Sequence, residues 1–246
     1  MASRGEKKLR GKVTLITGGS RGIGRAVAAA YAAAGAQVFI CARDRTRLDE
    51  AVAAIRTSGD IAGEAGDVAE PADAKRIVGC ALAQFGTIDV LVNNASLLGP
   101  RVPIAEYPFD SWQDVIRVNL SGPLLMSQEV LRTMLAKRSG AIINVTSGVG
   151  RIGKARWGAY AVSKAGVEGF TQVLADEVKE SSIRVNAVNP AATRTAMRAE
   201  AYPAEDPMTL PTPEEITPIF VYLASDDSRG VTGQSLDARD WIGREV

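Results

Sequence analysis

Lys12-Val-Thr-Leu-Ile-Thr17 runs straight into Gly18-Gly-Ser-Arg-Gly-Ile-Gly24, and an alanine-rich stretch over residues 25–34 follows before Gly35. The first run is short, apolar and β-branched, the composition of a buried strand. The last is a helical stretch that a glycine stops. Between them, glycines let the backbone approach a pyrophosphate, and the helix N-terminus receives the anion. The spacing is G-x-x-x-G-x-G, not the commoner G-x-G-x-x-G. By itself the turn reads equally well as a tight junction whose small residues serve packing.

Working outward, residues 37–42 form a second strand, ending in Arg43-Asp44-Arg45. In dinucleotide folds the end of this strand meets the adenosine ribose. An acid there bonds a 2′-hydroxyl, whereas an arginine accommodates a 2′-phosphate. Here the strand ends in Ala42 and Arg43, and Arg21 lies in the glycine turn. Two guanidiniums converging on one phosphate favour NADP(H) over NAD(H).

Strands and helices then alternate. A helix over 46–57 precedes a weak strand at 61–65. A helix opened by Pro71 precedes a strand at 88–92 and Asn93-Asn94-Ala95. A long helix capped by Ser111 is expected to reach about residue 137. Pro123 should kink it, having no N–H for the carbonyl of Asn119. A strand at 141–146 leads to Ser147, a helix runs to about 179, and a strand covers 183–188. Residues 193–212 hold three prolines and read as a loop that shapes a substrate pocket. A helix at 214–224 and a last strand near Ser235 complete the chain. The pattern predicts a single α/β domain over residues 1–246: a doubly wound, Rossmann-like parallel sheet of about seven strands, with helices on both faces. Residues 1–10 are expected to be flexible.

The 246 residues carry a net charge of +1 and no histidine. Near neutrality gives no reason to expect nucleic acid or a membrane surface as partner. The lack of histidine excludes a Ser-His-Asp triad and weakens any case for catalytic zinc. Cys41 and Cys80 give neither a disulfide framework nor a metal cluster. With no signal peptide or bilayer-spanning run visible, the expected location is the cytoplasm.

Acid-base work therefore falls to tyrosine, lysine or carboxylates, and Tyr160-Ala-Val-Ser-Lys164 supplies two of these. Four residues apart, they sit one turn apart on the same side of a helix. An ammonium beside a phenol favours the phenolate. Poising a phenol of pKa near ~10 at neutrality takes about three units, roughly 4 kcal/mol. Such a tyrosine can give a proton to a carbonyl or take one from an alcohol. Y-x-x-x-K alone is common in ordinary helices, so its context decides.

That context is Thr17-Gly-Gly-Ser-Arg-Gly-Ile-Gly24, Asp67-Val68, Asn93-Asn-Ala95, Asn119, Ser147, Tyr160 with Lys164, Asn189-Pro190 and Val231-Thr-Gly233. In this order the chain resembles the short-chain dehydrogenase/reductase family over nearly its whole length. The resemblance implies an NADP(H)-dependent oxidoreductase moving a hydride between the nicotinamide and a carbonyl or secondary alcohol, with Tyr160 as acid and base. It implies that Ser147 orients the carbonyl, that Lys164 bonds the nicotinamide ribose and lowers the tyrosine pKa, and that Asn119 holds a proton-passing water. On the cofactor side it implies Gly18, Ser20, Arg21, Gly22, Ile23, Gly24 and Arg43 around the phosphates. Asp67 and Val68 would meet the adenine, Asn94 and Ala95 the adenosine side, and Pro190, Thr193 and Thr195 the nicotinamide.

The resemblance also implies a small carbonyl or alcohol substrate, and a homodimer or homotetramer built on the two long helices. Ser96 and Ala191 stand where the family has glycine. The chain broadly resembles 3-oxoacyl-[acyl-carrier-protein] reductases, whose basic carrier-facing positions it matches at Arg138 but not at Asp176. The rival reading is an NADP-binding sensor or scaffold without turnover, against which the intact Asn119, Ser147, Tyr160 and Lys164 set speaks.

Overall fold

Seven short strands run in one direction: β1 (Val13–Thr17), β2 (Gln37–Ala42), β3 (Ile61–Ala65), β4 (Val90–Asn93), β5 (Gly140–Val145), β6 (Ile183–Asn189) and β7 (Ser235–Asp237). They pair in parallel in the order β3-β2-β1-β4-β5-β6-β7. Between them lie α1 (Gly22–Ala33), α2 (Arg45–Ile55), α3 (Pro71–Phe85), α4 (Phe109–Ile116), α5 (Gly122–Lys137), α6 (Gly148–Arg151), α7 (Gly158–Val178), α8 (Ala196–Ala201) and α9 (Pro218–Ala224). This computed structural model describes residues 7–244.

Successive strand side chains enter opposite faces. Ile16, Val38 and Ile40 join one apolar cluster with Val27 and Tyr31 of α1 and Phe220 of α9. Leu15, Phe39 and Cys41 join the other with Ile77 of α3, Met126 of α5 and Leu174 of α7. Because helices cover both faces, the strands read in the sequence as unbroken apolar runs. Cys41 is a buried free thiol, and desolvation pushes its pKa up to about 12, which makes it inert. All carboxyl ends of a parallel sheet lie on one edge. The strand order reverses between β1 and β4, and a doubly wound sheet opens a binding crevice there.

Three expectations need correction. Residues 1–6 lie outside the described residues, but the flexible start does not include Leu9. Leu9 is fully buried, and its N–H donates to the Ala34 carbonyl at 3.0 Å. The long helix does not begin at a Ser111 cap. It begins at Phe109 after Pro108, and it is not one helix, because a π turn at Arg117–Ser121 separates α4 from α5. The Gly122 N–H reaches the Arg117 carbonyl five residues back, which absorbs the bond that Pro123 cannot make. Residues 193–212 are not an irregular loop. Thr195 caps α8, Pro207–Thr209 form a single turn, and the Arg194 guanidinium donates to the carbonyls of Pro207 (2.9 Å) and Leu210 (3.0 Å). Among the described residues no helix is long and apolar enough to cross a membrane.

Candidate active site

Ser147 follows β5 and caps α6, its oxygen accepting from the Val149 N–H at 3.5 Å. α7 starts at Gly158, which places Tyr160 and Lys164 in its first two turns. The Ser147 side chain lies close enough to the Tyr160 phenol to favour the phenolate. Lys164 Nζ donates to the Val145 carbonyl at 2.8 Å and lies 5.6 Å from the centre of the tyrosine ring. Tyr160 is 8% exposed and Lys164 3%.

Among the protein's own groups, burial outweighs the lysine. Desolvation pushes the phenol up to about 12, against a downward pull from Ser147, and brings the Lys164 ammonium down to about 8. The lowered phenol expected from sequence is therefore not a property of this pair alone. A measurable consequence follows for stability. Lys164 binds its proton more weakly in the fold than in the unfolded chain, so its penalty is full below about 8 and vanishes as pH rises toward its ordinary 10.5. Lys164→Met should thus stabilise the cofactor-free protein more at pH ~7 than at pH ~9.5. Urea melts at the two pH values that show an equal gain, or a larger gain at high pH, would contradict this burial penalty.

Asn119 is 1% exposed and its amide is spent on structure. Oδ1 accepts from the Leu97 N–H (2.7 Å), and Nδ2 donates to the Leu97 carbonyl (2.9 Å) and to Ser163 Oγ (3.0 Å). Ser163 in turn donates to the Tyr160 carbonyl at 2.8 Å. Asn119 thus ties the segment after β4 to the turn carrying the tyrosine, a role its sequence position did not reveal.

The glycine turn fits a dinucleotide. Gly18 and Gly22 have φ of 66° and 53°, in the left-handed region that favours glycine. A Cβ on Gly24 would strike Asn94 Nδ2 and the Gly18 carbonyl, both at 2.4 Å. One on Gly22 would meet nothing nearer than Thr195 Cγ2 at 3.7 Å, so Gly22 faces open space with Thr195 opposite. Arg21 makes no side-chain cap on α1, which leaves the first N–H groups free of a side-chain acceptor. Ser20, Arg21, Arg25 and Arg47 line a cleft of about 370 Å³. Arg21, Arg25 and the exposed Arg43 make no ion pair among the described residues. Ile23 packs against the first core cluster, and Val68 is buried in the second.

Other residues expected at the cofactor also brace the fold. Asn94 Nδ2 donates to the carbonyls of Thr17 (2.9 Å) and Gly18 (3.2 Å), and the Ala95 N–H donates to Thr17 Oγ1. Asp67 accepts from the Ala69 N–H and pairs with Arg117 at 3.4 Å. Thr193 is buried and gives its proton to the Pro190 carbonyl, whereas Thr195 faces the glycine turn. Asn189 Oδ1 accepts from the N–H groups of Gly148 and Ala191, at 3.1 and 3.0 Å, joining the ends of β5 and β6. Ala191 has φ of 57°, a left-handed alanine. That conformation costs a non-glycine residue about 1–2 kcal/mol, part of which glycine's extra chain entropy offsets. Ala191→Gly should raise stability by roughly 0.5–1 kcal/mol, or about 1–3 °C in Tm. A lowered Tm would show that the alanine is not strained.

Sequence reading missed one wall of the site. The Trp157 ring centre lies 5.5 Å from Tyr160 and 6.0 Å from Tyr202, and the Arg101 guanidinium stacks between Trp157 (4.4 Å) and Tyr202 (4.7 Å). Apart from Trp157 and Tyr160, three positions apart, these residues are distant in the chain, and no local pattern joins them.

Comparison with known proteins places this geometry among relatives. Residues 12–206 match the family model described as short chain dehydrogenase. The chain is 38% identical over 240 residues to the uncharacterized oxidoreductase YciK of Escherichia coli K12, covering 94% of this chain and 93% of that one. It is 36% identical over 234 residues to the 3-oxoacyl-[acyl-carrier-protein] reductase FabG of Salmonella typhimurium, covering 92% and 95%. A short chain dehydrogenase of Shigella flexneri, solved with NADP, superposes with a TM-score of 0.91 at 37% identity, covering 95% and 99%. One of E. coli CFT073, solved with NADPH, superposes at 0.90 with 38% identity and the same coverage.

Proposed function

Because the chain belongs to the short chain dehydrogenase family, we propose that it is an NADP(H)-dependent oxidoreductase acting on a small carbonyl or its secondary alcohol, with Tyr160 moving the proton. The observation that carries this reading is the enclosed Ser147–Tyr160–Lys164 group beside an open glycine turn. The relatives solved with NADP and NADPH support the cofactor, as do the unpaired guanidiniums of Arg21 and Arg43.

The α1 N-terminus and the glycine turn would hold the pyrophosphate, Arg21 and Arg43 the 2′-phosphate, and Thr195 the nicotinamide end. When bound, the nicotinamide supplies or accepts the hydride. Tyr160 gives its proton to the carbonyl oxygen, or takes one from the alcohol, in a pocket dry enough to make that transfer directional. Ser147, close to the phenol, holds the same oxygen. The Lys164 ammonium lowers the cost of the phenolate. The test is loss of NADPH absorbance with a panel of diketones, quinones and oxo compounds. Tight NADPH binding with no oxidation by any of them would favour the sensor reading instead.

Two finer points belong to the same proposal. Asp176 is largely exposed and stands where the carrier reductases have a basic residue, an acid that would repel an acidic carrier protein. Free carbonyls should therefore be turned over at least as well as carrier-linked ones. A strong preference for the carrier-linked form of one ketoacyl group would overturn that. Leu124 and Leu135 of α5, and Val162 and Val173 of α7, are exposed apolar residues that support a homodimer or homotetramer through these helices. The two free cysteines suit a reducing cytoplasm.

A further inference from the structure

Arg101 is a cation without a counter-charge. It is half-buried in the segment after β4, and no carboxylate lies within ion-pair distance of it among the described residues. Its neighbour Arg198 makes the contrast. Arg198 also stacks on Tyr202, at 3.8 Å, but pairs through two nitrogens with both oxygens of Glu205, at 2.6 and 2.7 Å. Arg101 has only the Ala201 carbonyl at the end of α8, bonded through Nη1. Its Nε is buried with no hydrogen-bond partner among the described residues. A buried charged donor left unmade is costly, and stacking on two rings compensates it only in part.

The place of this cation matters. It stacks on Trp157 at 4.4 Å, and Trp157 lies against Tyr160 with ring centres 5.5 Å apart. The same apolar group contains Leu97, Leu98, Val149, Met197 and Tyr202. Trp157 thus links the proton donor to the guanidinium within one apolar group. Glu205, which faces Arg198 in this region, is already neutralised by it.

We infer that Arg101 is a specificity-determining residue that binds the carboxylate of an oxo acid whose carbonyl faces Tyr160. This rests on the proposed oxidoreductase reading and names its substrate class: a carbonyl compound with an anionic carboxylate a few carbons away. The planar guanidinium offers the fork that a carboxylate accepts from, and the aromatic rings fix its plane. The reaction is unchanged. The carbonyl carbon gains a hydride, its oxygen gains the Tyr160 proton, and the carboxylate is a handle only.

The experiment compares acetoacetate and levulinate with their methyl esters, which keep the carbonyl and lose the charge. Both kcat/KM with NADPH and calorimetric binding to the NADP-loaded protein are measured, for the parent, Arg101→Met and Arg101→Lys. For at least one pair the parent should prefer the acid by roughly ten-fold or more. Arg101→Met should erase that ratio, mainly through KM, while leaving the ester rate within about two-fold, and Arg101→Lys should retain part of it. A parent that handles esters as well as acids would overturn the assignment. So would an Arg101→Met variant that loses acid and ester equally, because then the residue is only a strut for α8. If NADPH binds but neither form is reduced, the binding arm decides on its own, while the wider panel of carbonyls decides the oxidoreductase reading. Acid binding that weakens about ten-fold or more in Arg101→Met supports the handle, and no acid binding by the parent refutes it.

Discussion

Tyr160→Phe should lower kcat by roughly 10²–10⁴-fold, the usual contribution of a positioned general acid or base. NADPH affinity should stay within about two-fold, because the proposed phosphate contacts lie on the glycine turn and at the end of β2 rather than on α7. Phenylalanine leaves the ring in place against Trp157, so packing changes little. What is lost is the hydroxyl that faces Ser147 and the proton it carries. Lys164→Ala should differ in kind. It removes both the ammonium that favours the phenolate and the contact to the Val145 carbonyl, and it should weaken cofactor binding as well as turnover. If Tyr160→Phe keeps most of the parent kcat, another group donates the proton and the central assignment is wrong.

The parent should bind NADPH at least about ten-fold more tightly than NADH for each guanidinium that meets the 2′-phosphate, as a charge-assisted hydrogen bond contributes about 1.5–3 kcal/mol and exposure moves it to the low end. The double variant Arg21→Ala/Arg43→Ala should lose most of that preference by weakening NADPH while sparing NADH. Neither residue is committed to a carboxylate in the protein, whereas Arg47 and Arg45 are held by Asp44, Asp49 and Glu64. Added salt should narrow the preference, since both side chains stand in solvent. Equal affinity of the parent for the two cofactors would remove the basis of this assignment.

These residues were legible in the sequence for a physical reason. The phosphate cradle is one contiguous turn, and Tyr160 with Lys164 is one helical step, so each constellation is local in the chain. Strand order was less so, but apolar runs separated by helical stretches leave few arrangements for a right-handed parallel sheet. Tertiary partnerships were not legible. Asn119 and Leu97 are too distant in sequence for any pattern to show that the asparagine is a tie, and Asn94 braces a turn that precedes it by most of a domain half. The four-residue box of Arg101, Trp157, Tyr160 and Tyr202 comes from three separate segments. Prolines made residues 193–212 look irregular, because propensity cannot see that Arg194 satisfies the carbonyls around them. The pKa of Tyr160 is legible only in part for a related reason: the neighbouring lysine is visible in the sequence, while the burial that opposes it is not.

The π turn at Arg117–Ser121 constrains how this chain can change in length. A π turn is a helix carrying one residue too many. Deleting one residue there would restore a regular ladder of bonds, so nothing local forbids it. The extra residue is taken up inside the turn itself, so α5 would keep its roll relative to α4, and what a deletion changes is the turn. Met126, Val130 and Met134 would stay buried against the sheet, but Asn119 sits inside the turn and would leave Leu97 and Ser163. Substitutions in this segment should therefore be borne far better than insertions or deletions, the reverse of what holds for a surface connection. Across relatives of this chain, length differences should gather in the turns between helices and strands, and the count of residues from Phe109 to Lys137 should hold constant.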